Sequence, residues 1–311
     1  MGRRKLSGPA AKMRGGNARE APAQGEPGRI DAAPERVEMP RFPLFVSAER
    51  PDLLERACTA GADAVVIDFE DSVPPESKAG VRRIPQSALP VQRSIPLYLR
   101  INGVGTAWHR DDVAFARVAG FDGVILPKAE TAAQVAALRE TLGERQRIIA
   151  LVETVQGLSQ VEQIAQIADR LALGSIDLCE DLGCAHTRLA LLPLRSRVVQ
   201  AARLARRPAP LDGVSISIED AALITDEAMH ACELGFGGKC LIHPAQFAPV
   251  WAGFQAEPED LDWARNVIVA EGGRIEIGEE AEPLQSPVAS RARRMLNRSK
   301  PLPCGSITGS E

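Results

Sequence analysis

Two acidic residues, Glu153 and Asp177, follow consecutive apolar runs, in IIALVET and LALGSID. The runs 148–152 and 171–174 read as buried strands, with an amphipathic segment, 158–168, between them. In a parallel sheet with right-handed crossovers, sequential strands are usually neighbours. Glu153 and Asp177 would then end adjacent strands, at one end of the sheet and within reach of one ion. Two hard oxygen ligands with room left for water suit Mg²⁺. Either acid alone could equally cap the helix that follows it, so the other strand ends must decide.

Those ends are also polar. Eight short apolar runs span 43–46, 64–68, 97–101, 123–126, 148–152, 171–174, 213–218 and 239–242. Helical periodicity separates them, clearest over 53–60, 132–142, 195–206 and 221–234. Eight β/α units without a GxGxxG turn after the first strand point to a (β/α)8 TIM barrel rather than a doubly wound open sheet. Active sites of such barrels lie at the C-terminal ends of the strands. There the sequence places Asp68, Glu70 and Asp71 after the second strand, Arg100 and Asn102 after the third, and Lys128 after the fourth. Glu153, Asp177 and His243 follow the fifth, sixth and eighth. Taken singly, Lys128 and His243 read better as structural groups.

An ion held by Glu153 and Asp177 keeps open positions for a substrate carboxylate and an adjacent oxygen. Arg100 adds a planar fork matched to carboxylate or developing oxyanion. A site that stabilises negative charge in this way suits aldol or Claisen-type carbon–carbon cleavage. No Cys/His or Ser/His/Asp set suggests covalent catalysis. A Schiff-base role for Lys128, which follows Pro127, stays open as a minor reading.

The elements that position these groups fit comfortably within 311 residues, of which 45% are hydrophobic. A net charge of −4 and only 4% aromatics argue against nucleic acid as the main partner. No apolar run reaches the ~18 residues of a membrane span, and no signal-peptide core precedes the first strand, so a cytoplasmic protein is expected. The six cysteines, Cys58, Cys179, Cys184, Cys232, Cys240 and Cys304, show no zinc-like spacing and read as reduced packing residues. Residues 1–39, rich in Gly, Ala, Pro and Arg, read as a disordered extension. Residues 40–257 form the barrel, and 258–311 a C-terminal helical or lid segment with helices over 258–271 and 288–297.

Six ordered stretches make the chain recognisable: FPLFVSAERPDLLERACTAGADAVVIDFEDSVPPESKAGVR, YLRINGVGTAWHRDD, GFDGVILPKAET, IIALVETVQG, LALGSIDLCEDLG and LGFGGKCLIHPAQ. Over roughly residues 41–295 the chain resembles the citrate lyase β-subunit-like (CitE-like) CoA-ester lyases of the HpcH/HpaI aldolase superfamily. The resemblance implies Mg²⁺ held by Glu153 and Asp177, a substrate-binding Arg100, and Glu70 and Asp71 close to the waters of the ion. It also implies hydroxy-dicarboxylyl-CoA substrates (citramalyl-CoA, malyl-CoA or citryl-CoA), split to acetyl-CoA and a 2-oxo acid, and a homotrimer or homohexamer.

Two positions depart from that pattern. The first loop, VSAER (46–50), lacks the LFVPG form that relatives often carry. At the lid, Gln285 stands where many relatives have an aspartate that handles the acetyl-CoA proton. Glutamine cannot act as a base, and Glu282 is the nearby substitute. Two other readings stand beside the lyase: a metal aldolase acting on free 2-oxo acids, and a β-like subunit that works only with partner chains.

Overall fold

The computed structural model describes residues 39–83, 95–270 and 286–299. The chain divides into two units, 1–37 and 38–311. In the second, eight strands alternate with helices: β1 Pro43–Ser47, β2 Ala64–Asp68, β3 Leu97–Arg100, β4 Gly123–Leu126, β5 Arg147–Val152, β6 Arg170–Leu173, β7 Leu211–Asp212 and β8 Gly238–Lys239. Every strand pairs in parallel with the next in sequence. The ring closes where the Phe45 amide donates to the Leu241 carbonyl at 2.8 Å and the Leu241 amide donates to that of Pro43 at 2.9 Å. The expected (β/α)8 TIM barrel is therefore present.

The strands are apolar along nearly their whole length because both faces are covered, as parallel sheets require. Inward-facing Ala64, Val66, Tyr98, Ile125, Ile149, Leu151, Ala172 and Leu211 fill the barrel. Alternate residues such as Val65, Ile67, Leu99, Val124 and Ile148 face the helices. Tyr98 lies across Gly123, where a Cβ would come within 2.3 Å of its ring. Only glycine leaves room there for a phenol inside the barrel.

The helices are α1 Leu54–Cys58, α2 Lys78–Val81, α3 His109–Val118, α4 Ala132–Leu142, α5 Val155–Ser159, α6 Val161–Ile167, α7 Ser175–Leu182, α8 Arg188–Leu204, α9 Ala221–Leu234, α10 Phe247–Phe254, α11 Pro258–Ala270 and α12 Pro287–Arg298. Several begin where side chains satisfy the free amides of the first turn. Thr131 and Gln134 form a reciprocal capping box on α4, and Thr154 and Thr187 cap α5 and α8. After the barrel, α11 and α12 pack through Ala264, Ile268, Ala289, Ala292, Met295 and Leu296. Glu282 and Gln285 lie outside the described residues.

Two strands differ from the sequence reading. The alternation GVSISI suggests a strand over 213–218, yet β7 is Leu211–Asp212, and the following carbonyls of Ser215 and Ser217 accept from the Gln246 side chain at 2.9 and 2.8 Å. A side chain replaces the ladder, and Ile216 and Ile218 stay exposed. Similarly, β8 ends at Lys239 rather than Ile242, although Leu241 still bonds across to β1. The 158–168 segment is broken at Gln160 into α5 and α6. The helix expected at 195–206 starts earlier, at Arg188, and carries Pro193 in its second turn. Among the described residues no helix is long and apolar enough to cross a membrane. Cys179, Cys184, Cys232 and Cys240 are free thiols, and Cys304 lies outside the described residues.

Candidate active site

The parallel register of β2 and β3 sets Asp68 directly beside Arg100. Their side chains form a two-pronged pair, Arg100 Nε to Asp68 Oδ1 at 2.6 Å and Nη2 to Oδ2 at 2.7 Å. Asp68 also accepts from the amides of Glu70 (2.9 Å) and Ser72 (3.0 Å), which folds the loop back over the strand end. That turn carries Glu70 and Asp71 to the remaining edge of the guanidinium. Arg100 Nη1 lies 3.1 Å from Glu70 Oε2 and 2.9 Å from Asp71 Oδ2. Beneath it, the Phe45 ring lies 5.2 Å from the guanidinium carbon. Burial raises the Asp68 acid, but the Arg100 charge outweighs it and leaves Asp68 below the usual carboxylate range.

Glu153 follows β5 and is almost fully buried. Its Oε1 accepts from the Lys128 amide at 2.8 Å, and its other oxygen lies against Gly174, where a Cβ would come within 2.4 Å of Oε2. Gly174 therefore makes the cradle in which Glu153 crosses the end of β6. Burial, with Glu70 and Asp177 nearby, pushes the Glu153 acid up to about 8. Burial also raises Glu70, against the pull of Arg100 and Lys128. One Glu70 oxygen, Oε2, is buried with no hydrogen bond; Arg100 Nη1 lies at ion-pair distance but without the required geometry. The negative charge at this mouth exceeds what its cations neutralise.

Asp177 does not end a strand, as the sequence reading had it. It stands in the first turn of α7, beyond Gly174, with Oδ2 3.5 Å from Lys128 Nζ. The same ammonium donates to Glu70 Oε1 at 2.8 Å. Lys128 thus links Glu70 and Asp177, while Arg100 links Glu70 and Asp71. The four acids singled out in the sequence, Glu70, Asp71, Glu153 and Asp177, thus gather around Arg100 and Lys128.

Several partners escaped the sequence reading. Asp68 occupies the fork that was assigned to substrate, leaving only the Asp71 edge of Arg100 exchangeable. Asp71 is half exposed whereas Asp68 is buried. Lys78 is buried and donates to the carbonyls of Phe69 (3.2 Å) and Glu70 (2.9 Å) and to Asn102 Oδ1 (2.5 Å), pinning the loop that holds Glu70. Nothing in the local pattern marked Lys78, because its burial is decided by Phe69, Glu70 and Asn102 meeting it only in the fold. His243 is a cap: its Nδ1 accepts from the Ala245 amide at 3.2 Å, opening the short turn Pro244–Gln246. A cavity of about 360 Å³ adjoins the site, bounded by Glu70, Lys78, Asn102, Trp108, Lys128 and Glu130.

Among the described residues no three His, Cys, Asp or Glu side chains converge tightly enough to ligate an ion unaided. Two oxygen donors, Glu153 and Asp177, with the orphaned Glu70 oxygen beside them and unneutralised charge, instead fit a hard divalent cation that keeps open positions. Softer metals would call for His or Cys, and among the described residues neither forms a metal-binding cluster with these carboxylates.

The family described as HpcH/HpaI aldolase/citrate lyase matches residues 41–244. A citrate lyase subunit beta-like protein of Mycobacterium tuberculosis is 34% identical over 269 residues, covering 82% of this chain and 94% of that protein. A (3S)-malyl-CoA thioesterase of Cereibacter sphaeroides is 30% identical over 74% of this chain and 82% of its own length. The crystal structure of CitE from M. tuberculosis in complex with magnesium, acetoacetate and coenzyme A superposes with a TM-score of 0.70 at 32% identity, covering 83% of this chain and 97% of that chain.

Proposed function

This chain belongs to the HpcH/HpaI aldolase/citrate lyase family, and from that premise we propose that it is a Mg²⁺-dependent carbon–carbon lyase. Its substrate is a 3-hydroxy-dicarboxylyl-CoA thioester (citramalyl-CoA, malyl-CoA or citryl-CoA), cleaved to acetyl-CoA and a 2-oxo acid. One observation carries this reading: Glu70, Glu153 and Asp177 are gathered at the barrel mouth with more negative charge than Lys128 and Arg100 neutralise. The CitE complex with magnesium and coenzyme A supports the choice of ion and of thioester.

Glu153 and Asp177 would hold the ion. Mg²⁺ there supplies Lewis-acid stabilisation of negative charge on the substrate's oxygens. Arg100, anchored by Asp68, presents its remaining Nη1 edge to the substrate carboxylate, which displaces the exposed Asp71. That edge then also faces the oxygen that becomes the carbonyl of the 2-oxo acid. Glu70, buried and with one oxygen free of hydrogen bonds, takes the proton of the 3-hydroxyl. As that proton leaves, the bond between C2 and C3 breaks, and the C2 carbon of the departing acetyl-CoA gains a proton from outside this set. Gln285 cannot deliver it, which leaves Glu282 or solvent.

The test is release of acetyl-CoA and 2-oxo acid from the three CoA esters, with Mg²⁺ and with EDTA. Metal-dependent cleavage of one ester is expected. Cleavage of free hydroxy acids instead would replace this reading by the CoA-independent aldolase, and no turnover until partner chains are added would point to the β-like subunit.

A further inference from the structure

Among the described residues, Lys128 is the one that touches Glu70, Glu153 and Asp177 together. Its ammonium bonds Glu70 Oε1 at 2.8 Å and lies 3.5 Å from Asp177 Oδ2, while its own amide donates to Glu153 Oε1 at 2.8 Å. To do so its backbone adopts φ +46°, a left-handed conformation that a residue with a Cβ seldom takes. Such strain persists only where the surroundings over-determine it. Here the Ala129 amide donates to the Leu151 carbonyl at 3.1 Å, and the Ala129 carbonyl packs against Gly157, where a Cβ would sit 2.5 Å away. The Lys128 amide is therefore fixed on Glu153. Its ammonium is not: it sits on a flexible four-carbon stem and is 43% exposed.

Resting on the proposed metal site, we infer that the Lys128 ammonium stands in for the divalent cation in the free protein, and that it yields its carboxylates when the ion binds, moving to an anionic group of the substrate. The ammonium and the ion would compete for Asp177, and the ammonium on Glu70 Oε1 would stand beside the ion, where like charges this close repel strongly at a partly buried site. The ammonium must then leave. The cavity of about 360 Å³ that Lys128 borders gives it somewhere to go, and a substrate carboxylate there would receive it. Ion and anionic substrate accordingly bind with positive coupling, and Lys128 is the positioning residue through which the coupling runs.

The experiment measures Mn²⁺ affinity by calorimetry on the full chain, with and without pyruvate as the anionic probe. The native protein is expected to bind Mn²⁺ at least tenfold more tightly when pyruvate is present. Lys128→Met is expected to bind Mn²⁺ alone at least tenfold more tightly than the native protein, with pyruvate then adding less than threefold. Lys128→Gly, which suits the positive φ and retains the amide to Glu153, is expected to behave in the same way and serves if the methionine variant fails to fold. Affinity for Mn²⁺ alone that is unchanged or weaker in the folded variants, or undiminished coupling to pyruvate, would overturn the inference. Glu153→Gln separates the two levels of argument. If it leaves Mn²⁺ binding intact, the metal site itself is wrong; if it abolishes binding while the Lys128 variants match the native protein, only the role of Lys128 fails.

Discussion

The barrel buries two clusters of charge, and they differ in how they are neutralised. At the mouth, Asp68, Glu70, Asp71, Glu153 and Asp177 share two cations, Arg100 and Lys128. Between the barrel wall and its helices, Asp212 at the end of β7 receives Arg195 Nε (3.1 Å) and Nη2 (2.8 Å), from α8, and Lys239 Nζ (2.9 Å), from β8. Arg195 Nη1 lies 2.7 Å from His230 Nδ1, and Lys239 also donates to the Gly213 carbonyl at 2.7 Å. In that second cluster two cations share one carboxylate, yet each of its side chains is hydrogen-bonded, and it ties two short strands to the helices that cover them. At the mouth one carboxylate oxygen is orphaned and one acid is pushed up to about 8. A buried ionic group whose polar atoms are all hydrogen-bonded holds the fold together, whereas an orphaned oxygen beside a strongly raised acid marks a candidate ligand site.

That contrast can be broken by experiment. Glu153→Gln should lower kcat/KM by a factor of at least ~10³, about 4 kcal/mol of transition-state stabilisation, while leaving the metal-free melting temperature unchanged or higher. A clear loss of stability in that variant would show that the mouth is structural after all. Asp212→Ala should do the reverse, costing about 3–5 kcal/mol of stability because Arg195 and Lys239 are left buried and unpaired, with kcat of the folded fraction within about threefold of native. Chemical denaturation measures the first quantity and steady-state kinetics the second.

The pH dependence follows from Glu153, with the sign set by a folded pKa raised above its unfolded value of 4.5. The stabilisation tied to its protonated form is complete below 4.5 and is lost as pH rises through about 8. In EDTA the melting temperature should therefore fall between pH 5 and 8.5, and the increment produced by Mg²⁺ should grow over the same range. A flat increment would remove Glu153 from the metal site. Gly174→Ala should cost about 1–2 kcal/mol of stability, since its backbone is unstrained and the added methyl must push aside only the Glu153 side chain. Its activity should fall by ~10–100-fold, because displacing Glu153 by a fraction of an ångström misplaces a reacting oxygen.

The fold was legible because parallel strands covered on both faces leave near-continuous apolar runs, and six of the eight lie within two residues of where the sequence put them. Strand seven was misread for a physical reason. Alternation in GVSISI signals a strand only if a neighbouring backbone completes the ladder, and here Gln246, distant in sequence, supplies the hydrogen bonds instead. The candidate site was legible at the level of which residues assemble, since a barrel sends every strand's C-terminal end to one rim.

The order of apolar runs and polar strand ends thus determined by itself that this is a barrel with Glu70, Asp71, Arg100, Glu153 and Asp177 on one rim. Tertiary structure alone decided who pairs with whom. Register set Asp68 rather than a free fork against Arg100, Gly174 opened the cradle for Glu153, and a left-handed turn at Lys128 brought one lysine to three carboxylates. The reason is that strand direction is encoded in local periodicity, whereas the balance of charge at a site depends on side chains that approach one another only after the ring has closed.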